Sequence, residues 1–580
     1  MSQKSEVKDG MRIEWNVPIK MDDGIVLRAD VYRPIQDGKY PVIITYGPYS
    51  KGLSYQEAYP MQWQKMVHDH SEILEGSTNK YQAWEVTDPE RWVPHGYAVV
   101  RVDSRGAGCS PGIMDLQSPQ EIEDLCQCIE WAGTQPWSNG KVGMLGISYY
   151  AANQWHAAAK HPPHLAAIIP WEGFTDYYRD AVYHGGILSE FSKRWATIQV
   201  MTVQHGLGER AKKNPNTGES IAGPETLSDE ELAKNRINPY EQTKEHPLDD
   251  QWFKQRSADL LKGHTPLLSC ANWGGQGIHP RGNFNGFTES PAQQKWLEAH
   301  GDTHWSLFSS GYGLALQKRF FDYFLKGINN GWDKQPRVQL NIRYPGEKFE
   351  LRMENEWPLA RTQWTKFYLD PVKMALNREP VSAAGKLDYE ALGKGLTFLT
   401  PPLEKETEIT GPIAAKLFVS SSTKDADLFL IVRVFDPKGK ELTFQGALDP
   451  NTPIAQGWLR VSHRRLDPKR SKPYQPYHLH DRVEPLTPGE IYECDVEILS
   501  TCVVVPAGWR IGFTVRGKDY EYEGEVGEFG EKFYYASRGT GGMTHGDPDN
   551  RPPEIFGGKN TLHAGGKKAS FVLLPIIPKK

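Results

Sequence analysis

The segment Gly146-Ile147-Ser148-Tyr149-Tyr150 is the stretch of this chain best suited to covalent chemistry. A serine hydroxyl is a weak nucleophile near neutral pH, so it needs a base to take its proton. It also needs donors for the negative charge that then develops on the substrate. The segment joins an apolar run, KVGMLGI, to an alanine-rich run, YYAANQWHAAAK, which stops at Pro162 and Pro163. A strand, a sharp turn and a helix in that order form a nucleophile elbow. Gly146 leaves room for the turn, and the helix aims its unpaired N–H groups at the residue that starts it. The Tyr149 N–H is therefore one expected oxyanion donor. The usual G-x-S-x-G pattern is incomplete, because Tyr150 holds the place of the second glycine. The competing reading is a serine that only caps the helix.

The surrounding elements must hold that turn at a sheet edge. IVLRADVYRP, PVIITY, YAVVRVD, LAAIIPW, TPLLSCANW and KWLEAHG read as strands between turn residues. EIEDLCQCIEWAGTQ and LQKRFFDYFLKG read as helices, the latter with Gly327 past its end. Strands alternating with helices predict an α/β fold with a parallel, doubly wound sheet over about residues 12–335. Two inserts interrupt it, one aromatic-rich at 51–95 and one at 174–263 that reads as a helical cap. After FLKGINNGWDKQP the pattern changes. PRVQLNIRYPG, GPIAAKLFVSSS, LFLIVRVFDP, CVVVPAGWRIGFTV and ASFVLLPI predict an all-β sandwich over residues 336–580.

The elbow, the approach segment WAGTQPWSNGKVGMLGISY, the loop Asp103-Ser104-Arg105-Gly106 and the late runs GPIAAKLFVSSSTKDADLFLIVRVFD and GWLRVSHR together carry a resemblance. The chain resembles the family of cocaine esterase, X-prolyl dipeptidyl peptidases and α-amino acid ester hydrolases over nearly its whole length. The resemblance implies an α/β-hydrolase domain with a C-terminal jelly roll. It also implies a tyrosine hydroxyl as second oxyanion donor, which falls on Tyr49 of Pro48-Tyr49. In the α/β-hydrolase order the histidine comes last, after the final strand. His304 in HGDTHW occupies that place and is the expected base, whereas His300 lies within the strand itself. The acid is where the chain departs from the family, since Gly275 stands where an aspartate is expected. Glu172, just after LAAIIPW, is the first choice to orient the imidazole and balance its charge. An ion pair with an arginine such as Arg179 is its structural alternative. Asn285 is a second choice, reached if GQGIHPRGNF is an insertion, and it would orient without charge. Asp302 is a third, two residues from His304 and so badly placed to reach Nδ1. A fourth reading has no acid and little or no activity.

Composition narrows the partners. A net charge of −5 supplies no field for nucleic acid. No run of about 18 apolar residues exists to span a membrane. The start of the chain lacks the apolar core of a signal peptide, and six sparse cysteines without zinc-type spacing read as free thiols, which favours a cytoplasmic setting. His68-Asp69-His70 reads as a solvated loop, since no third ligand accompanies it. Gly106 to Gly112 fails the dinucleotide pattern. Asp103 and Arg105 are expected to brace their loop, and the aromatics of 51–95 to line a pocket or pack under the cap. The expectation is a serine hydrolase without cofactor or metal. It would cleave small carboxylic esters or acyl amides through an acyl-enzyme on Ser148. X-Pro dipeptides are the alternative substrate, and a ligand-binding protein with a degraded site is the rival of another class. Oligomeric state, including a homo-oligomer, is left open.

Overall fold

The computed structural model describes residues 3–526 and 538–579. Its first sheet has eleven strands and carries the alternating βα pattern. Across the sheet the order begins with Lys4–Lys8, Met11–Lys20, Val26–Pro34 and Ala98–Asp103. It continues through Tyr40–Gly47, Ser138–Ile147 and Leu165–Trp171 to Leu267–Asn272 and Lys295–His300. The strands from Ala98–Asp103 to Lys295–His300 run parallel, and the early hairpins join antiparallel. Central strands such as Ala98–Asp103 and Leu267–Asn272 are buried at every residue. That is why they read as continuous apolar runs: helices cover both faces of a parallel sheet.

The run at 336–346, expected in the β-rich part, extends this first sheet instead. Val338–Tyr344 pairs parallel with Lys295–His300, and Lys348–Glu354 closes the edge antiparallel. Period-2 alternation fixes strand character but not the partner, so the sheet it joined was decided by tertiary packing.

Residues 174–263 are mostly short helices, with one short hairpin of Tyr183–His184 and Ile187–Leu188. Phe191–Trp195, Asp229–Lys234, Pro239–Glu245 and Gln251–Gln255 are among the helices. Phe174, Tyr177, Tyr178, Tyr183 and Phe253 pack into a buried cluster there. Ser228 and Glu231 form a reciprocal capping box in LSDEELAK, which starts that helix where the sequence signals it.

Among the described residues beyond Glu354 the chain is all-β apart from short helical turns. Its eleven-stranded sheet is mostly antiparallel, and Phe571–Ile577 pairs with both Gln363–Asp370 and Thr407–Ser421, so the sheet closes on itself. Its interior is an apolar cluster of its own. A second cluster, including Trp273, Phe284, Leu340, Trp357 and Val504, welds this part to the first sheet. The join is close enough that a Cβ on Gly274 would lie 2.4 Å from Gly446 Cα.

Candidate active site

Ser148 sits at the tip of the elbow with φ 58° and ψ −110°, between the strand Ser138–Ile147 and the helix Tyr149–Lys160. A non-glycine residue with positive φ carries strain of about 1–3 kcal/mol, which its surroundings must hold. Here the Ser148 N–H donates to the carbonyls of Trp171 and Glu172, both at 3.1 Å, while its own carbonyl accepts the helix N–H groups of Ala151 and Ala152. Gly146 is required, because a Cβ would stand 2.4 Å from Tyr150 Cβ. Tyr150 is accommodated where the motif has glycine because its ring lies over Gly47, where a Cβ would meet it at 2.7 Å.

Glu172 also has a positive φ, 51°, and turns its buried carboxylate toward the site. Its Oε2 lies 2.6 Å from His304 Nδ1. Its Oε1 faces His300 Nε2 at 3.1 Å and accepts from Asn272 at 3.2 Å. Arg179 is elsewhere, paired with Asp176 and Asp249. The other acid candidates are held apart from the imidazole. Asp302 pairs with His70 at 2.7 Å, and Asn285 accepts a hydrogen bond from Gln475 at 2.9 Å across the join to the β-rich part. The His304 backbone N–H donates to Ala447 O at 3.1 Å, so its loop is anchored from that part of the chain as well.

Two residues to which the sequence assigned no role complete the arrangement. The Nε2 of His304 faces Glu85 Oε1 at 3.2 Å, so this imidazole lies between two carboxylates. Ser148 Oγ has its hydrogen bond with His279 Nε2, at 3.0 Å. The rings of His279 and His304 lie 4.8 Å apart and within 10° of parallel. Glu85 belongs to the aromatic insert, and nothing local marks it. His279 does carry a faint signal, a histidine directly before the proline that opens the helix Pro280–Glu289, just past a sheet strand.

Burial pulls the His304 pKa down, but Glu172 and Glu85 outweigh it and raise it to about 9. Burial pushes Glu172 up, yet His304 and His300 hold its carboxyl down at about 2. Burial raises Glu85, and the Glu172 charge adds to that against the pull of His304. His279 is driven well below the usual histidine value by burial and then by the positive charge of His304. Ligand atoms of Glu172, His279 and His304 lie within 4.8 Å of one another, the spacing of a metal site. The chemistry does not fit one: Glu172 and His304 already satisfy each other, and parallel imidazoles direct their lone pairs along separate planes.

Tyr49 is buried beside the elbow, its ring edge-on to Tyr149 and Tyr150. Its hydroxyl oxygen accepts from the Trp195 indole at 2.9 Å, which leaves the phenolic proton to be donated. Burial holds that phenol well above its ordinary pKa, so it stays protonated. Two pockets meet here and share Tyr49, Ser148, Phe191 and Trp195. One sets the polar groups of Gln62, Glu85, His279 and His304 among aromatic side chains such as Trp84 and Trp305; the other is more strongly apolar and includes Leu116, Phe174, Tyr177, Val182 and Ile278. Asp103 and Arg105 brace their loop. The Asp103 carboxylate accepts the N–H groups of Lys51 and Cys109, and Arg105 forks onto Asp124. His68 pairs with its neighbour Asp69, at 2.9 Å.

Residues 23–306 match X-Pro dipeptidyl-peptidase (S15 family), and residues 330–573 match the X-Pro dipeptidyl-peptidase C-terminal non-catalytic domain. A CocE/NonD family hydrolase from Staphylococcus aureus has 32% identical sequence and superposes with a TM-score of 0.84 over 98% of this chain and 94% of that one. The chain belongs to the CocE/NonD family of hydrolases. It is similar over 97% of its length to cocaine esterase from Rhodococcus sp., with 26% identity and 98% of that protein covered. An α-amino acid ester hydrolase shares the fold, at a TM-score of 0.68 and 14% identity. This CocE/NonD member is a hydrolase with a C-terminal non-catalytic domain. None of its helices among the described residues is long and apolar enough to cross a membrane.

Proposed function

We propose that this CocE/NonD hydrolase cleaves small carboxylic esters, with Ser148 as nucleophile and His304 and Glu172 as base and acid. The observation that carries this reading is the 2.6 Å pair between Glu172 and His304, beside a strained serine at a strand-to-helix turn. Ser148 attacks the carbonyl and its proton passes to His304 Nε2. Glu172 stabilises the imidazolium, and the Tyr149 N–H and Tyr49 hydroxyl receive the oxyanion. The imidazolium then protonates the departing alcohol, and water releases the acyl group by the same steps. The strongly apolar pocket that shares Ser148 and Tyr49 suits an ester with an apolar arm. The short helices of 174–263 act in this reading as a cap that limits substrate size. The closed β-rich sheet is read as a jelly roll that supports the His304 loop. The test is labelling by a fluorophosphonate together with turnover of p-nitrophenyl acetate and butyrate. Both are expected in the native chain and both are lost in Ser148→Ala. Turnover that survives Ser148→Ala refutes the nucleophile. Faster cleavage of an X-Pro anilide than of either ester refutes the substrate class.

A further inference from the structure

Ser148 Oγ is held by an imidazole that the mechanism above leaves unused. His279 Nε2 lies 3.0 Å from it, and the ring is only 1% exposed. Pro280 follows directly, and the His279 backbone N–H turns back to Gly275 O, so the ring is presented from a fixed backbone. His304 is engaged on both ring nitrogens by Glu172 and Glu85. The two imidazoles therefore have different partners and can have different roles.

The direction of the bond to Ser148 follows from the other nitrogen of His279. Its Nδ1 is buried and has no hydrogen-bond partner among the described residues. A neutral imidazole has one N–H, and a buried N–H without an acceptor is rare in folded proteins. The tautomer that avoids it places the proton on Nε2, where Ser148 Oγ accepts it. The doubly protonated ring would orphan a proton at Nδ1 and stand parallel to the charged ring of His304. With Oγ accepting from His279, the serine's own proton is left to be donated elsewhere.

We propose that His279 is a second catalytic imidazole, a neutral donor whose Nε2–H stabilises the negative charge that forms on Ser148 Oγ. The inference rests on Ser148 being the nucleophile and His304 the base. In acylation the Ser148 O–H bond breaks and its proton goes to His304, the Oγ–carbon bond forms, and the alcohol leaves with the proton from His304. In deacylation a water proton goes to His304 as the water oxygen bonds to the acyl carbon, the Oγ–carbon bond breaks, and Oγ recovers a proton from His304. His279 keeps its proton throughout. It acts in both half-reactions because Oγ carries developing charge in both.

The experiment compares His279→Leu, which cannot donate, with His279→Gln, whose amide can. Burst kinetics on a p-nitrophenyl ester separate acylation from deacylation, fluorophosphonate labelling reports Oγ reactivity, and the pH profile of kcat/KM reports the base. His279→Leu is expected to slow both half-reactions about 10- to 100-fold, the weight of one hydrogen bond to a charged group. His279→Gln is expected to recover most of that loss, with the limb of the pH profile due to the base present in both variants. If the leucine variant does not fold by circular dichroism, His279→Met takes its place. Native rates in the folded donor-less variant overturn the proposal. So does a glutamine variant as inactive as Ser148→Ala that has also lost the limb, because His279 is then the base. Activity in Ser148→Ala instead refutes the nucleophile on which the proposal rests.

Discussion

At the scale of the residue, the distinctive feature is His304 between Glu172 and Glu85. As the proposed base, His304 must be neutral to accept a proton, and its pKa is raised to about 9 despite its burial. The free-enzyme profile of kcat/KM for an ester is therefore expected to rise with pH through a midpoint near 9. Glu85 raises that pKa, so Glu85→Gln should move the midpoint to lower pH. Glu172→Gln should move it down as well, and should also lower kcat by roughly 10²- to 10⁴-fold, because the imidazolium loses its counter-charge and orientation. A midpoint unchanged in Glu85→Gln would remove Glu85 from the electrostatics of the base. A catalytic rate unchanged in Glu172→Gln would remove Glu172 from the triad. The contact of Glu172 with His304 was legible because Glu172 follows a strand whose end faces the elbow. That of Glu85 with His304 was not, because it spans a separation that no local pattern encodes.

At the scale of the element, the helix Pro280–Glu289 docks at glycine-sized clearances. A Cβ on Gly282 would lie 2.5 Å from Phe174 Cα and 2.6 Å from Thr175 N, and one on Gly286 would lie 2.5 Å from the Trp155 ring. Backbone at that distance can yield only by moving the helix. Gly282→Ala is expected to cost about 1–3 kcal/mol in stability. It should also lower kcat/KM, because the helix carries His279 at its start. Gly311, which opens Gly311–Lys326 with open space where its Cβ would stand, is the control. Gly311→Ala should be neutral or stabilising by up to about 1 kcal/mol. Thermal melts and ester turnover on the two variants check both expectations. Equal behaviour would show that the tight docking of the first helix is unimportant.

At the scale of the whole molecule, the join between residues 174–263 and the β-rich part buries a group of histidines. His184 Nδ1 faces His545 Nε2 at 2.7 Å, with Asp519 on the far side of His545, and His463 faces His480 at 3.1 Å. Burial lowers His184 to about 3, His463 to about 4 and His478 to about 3, and it drives His480 well below the usual value. The neighbouring charges of Arg179, Arg281 and Arg460 add to the effect on the last three. These folded pKa values lie below the unfolded value of about 6.5. Above pH 6.5 neither state is charged at these rings and they cost nothing. As pH falls below 6.5 the unfolded chain takes up protons that the folded chain refuses. Stability then drops by about 1.4 kcal/mol per pH unit for each such ring until its folded pKa is reached. Tm is expected to fall steeply between pH 6.5 and 4, and His463→Gln with His480→Gln should flatten that slope. A slope unchanged in the double variant would place the acid lability elsewhere.

Local pattern determined a good deal of this protein. Apolar runs between turn residues marked the strands, the shift after residue 335 marked a β-rich second half, and Gly146 before Ser148 marked the elbow. Each of these is a property of neighbouring residues, where the periods of strand and helix and the steric needs of one turn operate. The tertiary structure alone decided that residues 338–354 extend the first sheet and that Gln475 takes up Asn285. It also decided that Ser148 Oγ meets His279, and that His304 lies between Glu172 and Glu85. Those are contacts between segments far apart in the chain. Hydrogen-bond reach of about 3 Å is set by how whole elements pack, and no spacing along the sequence encodes it.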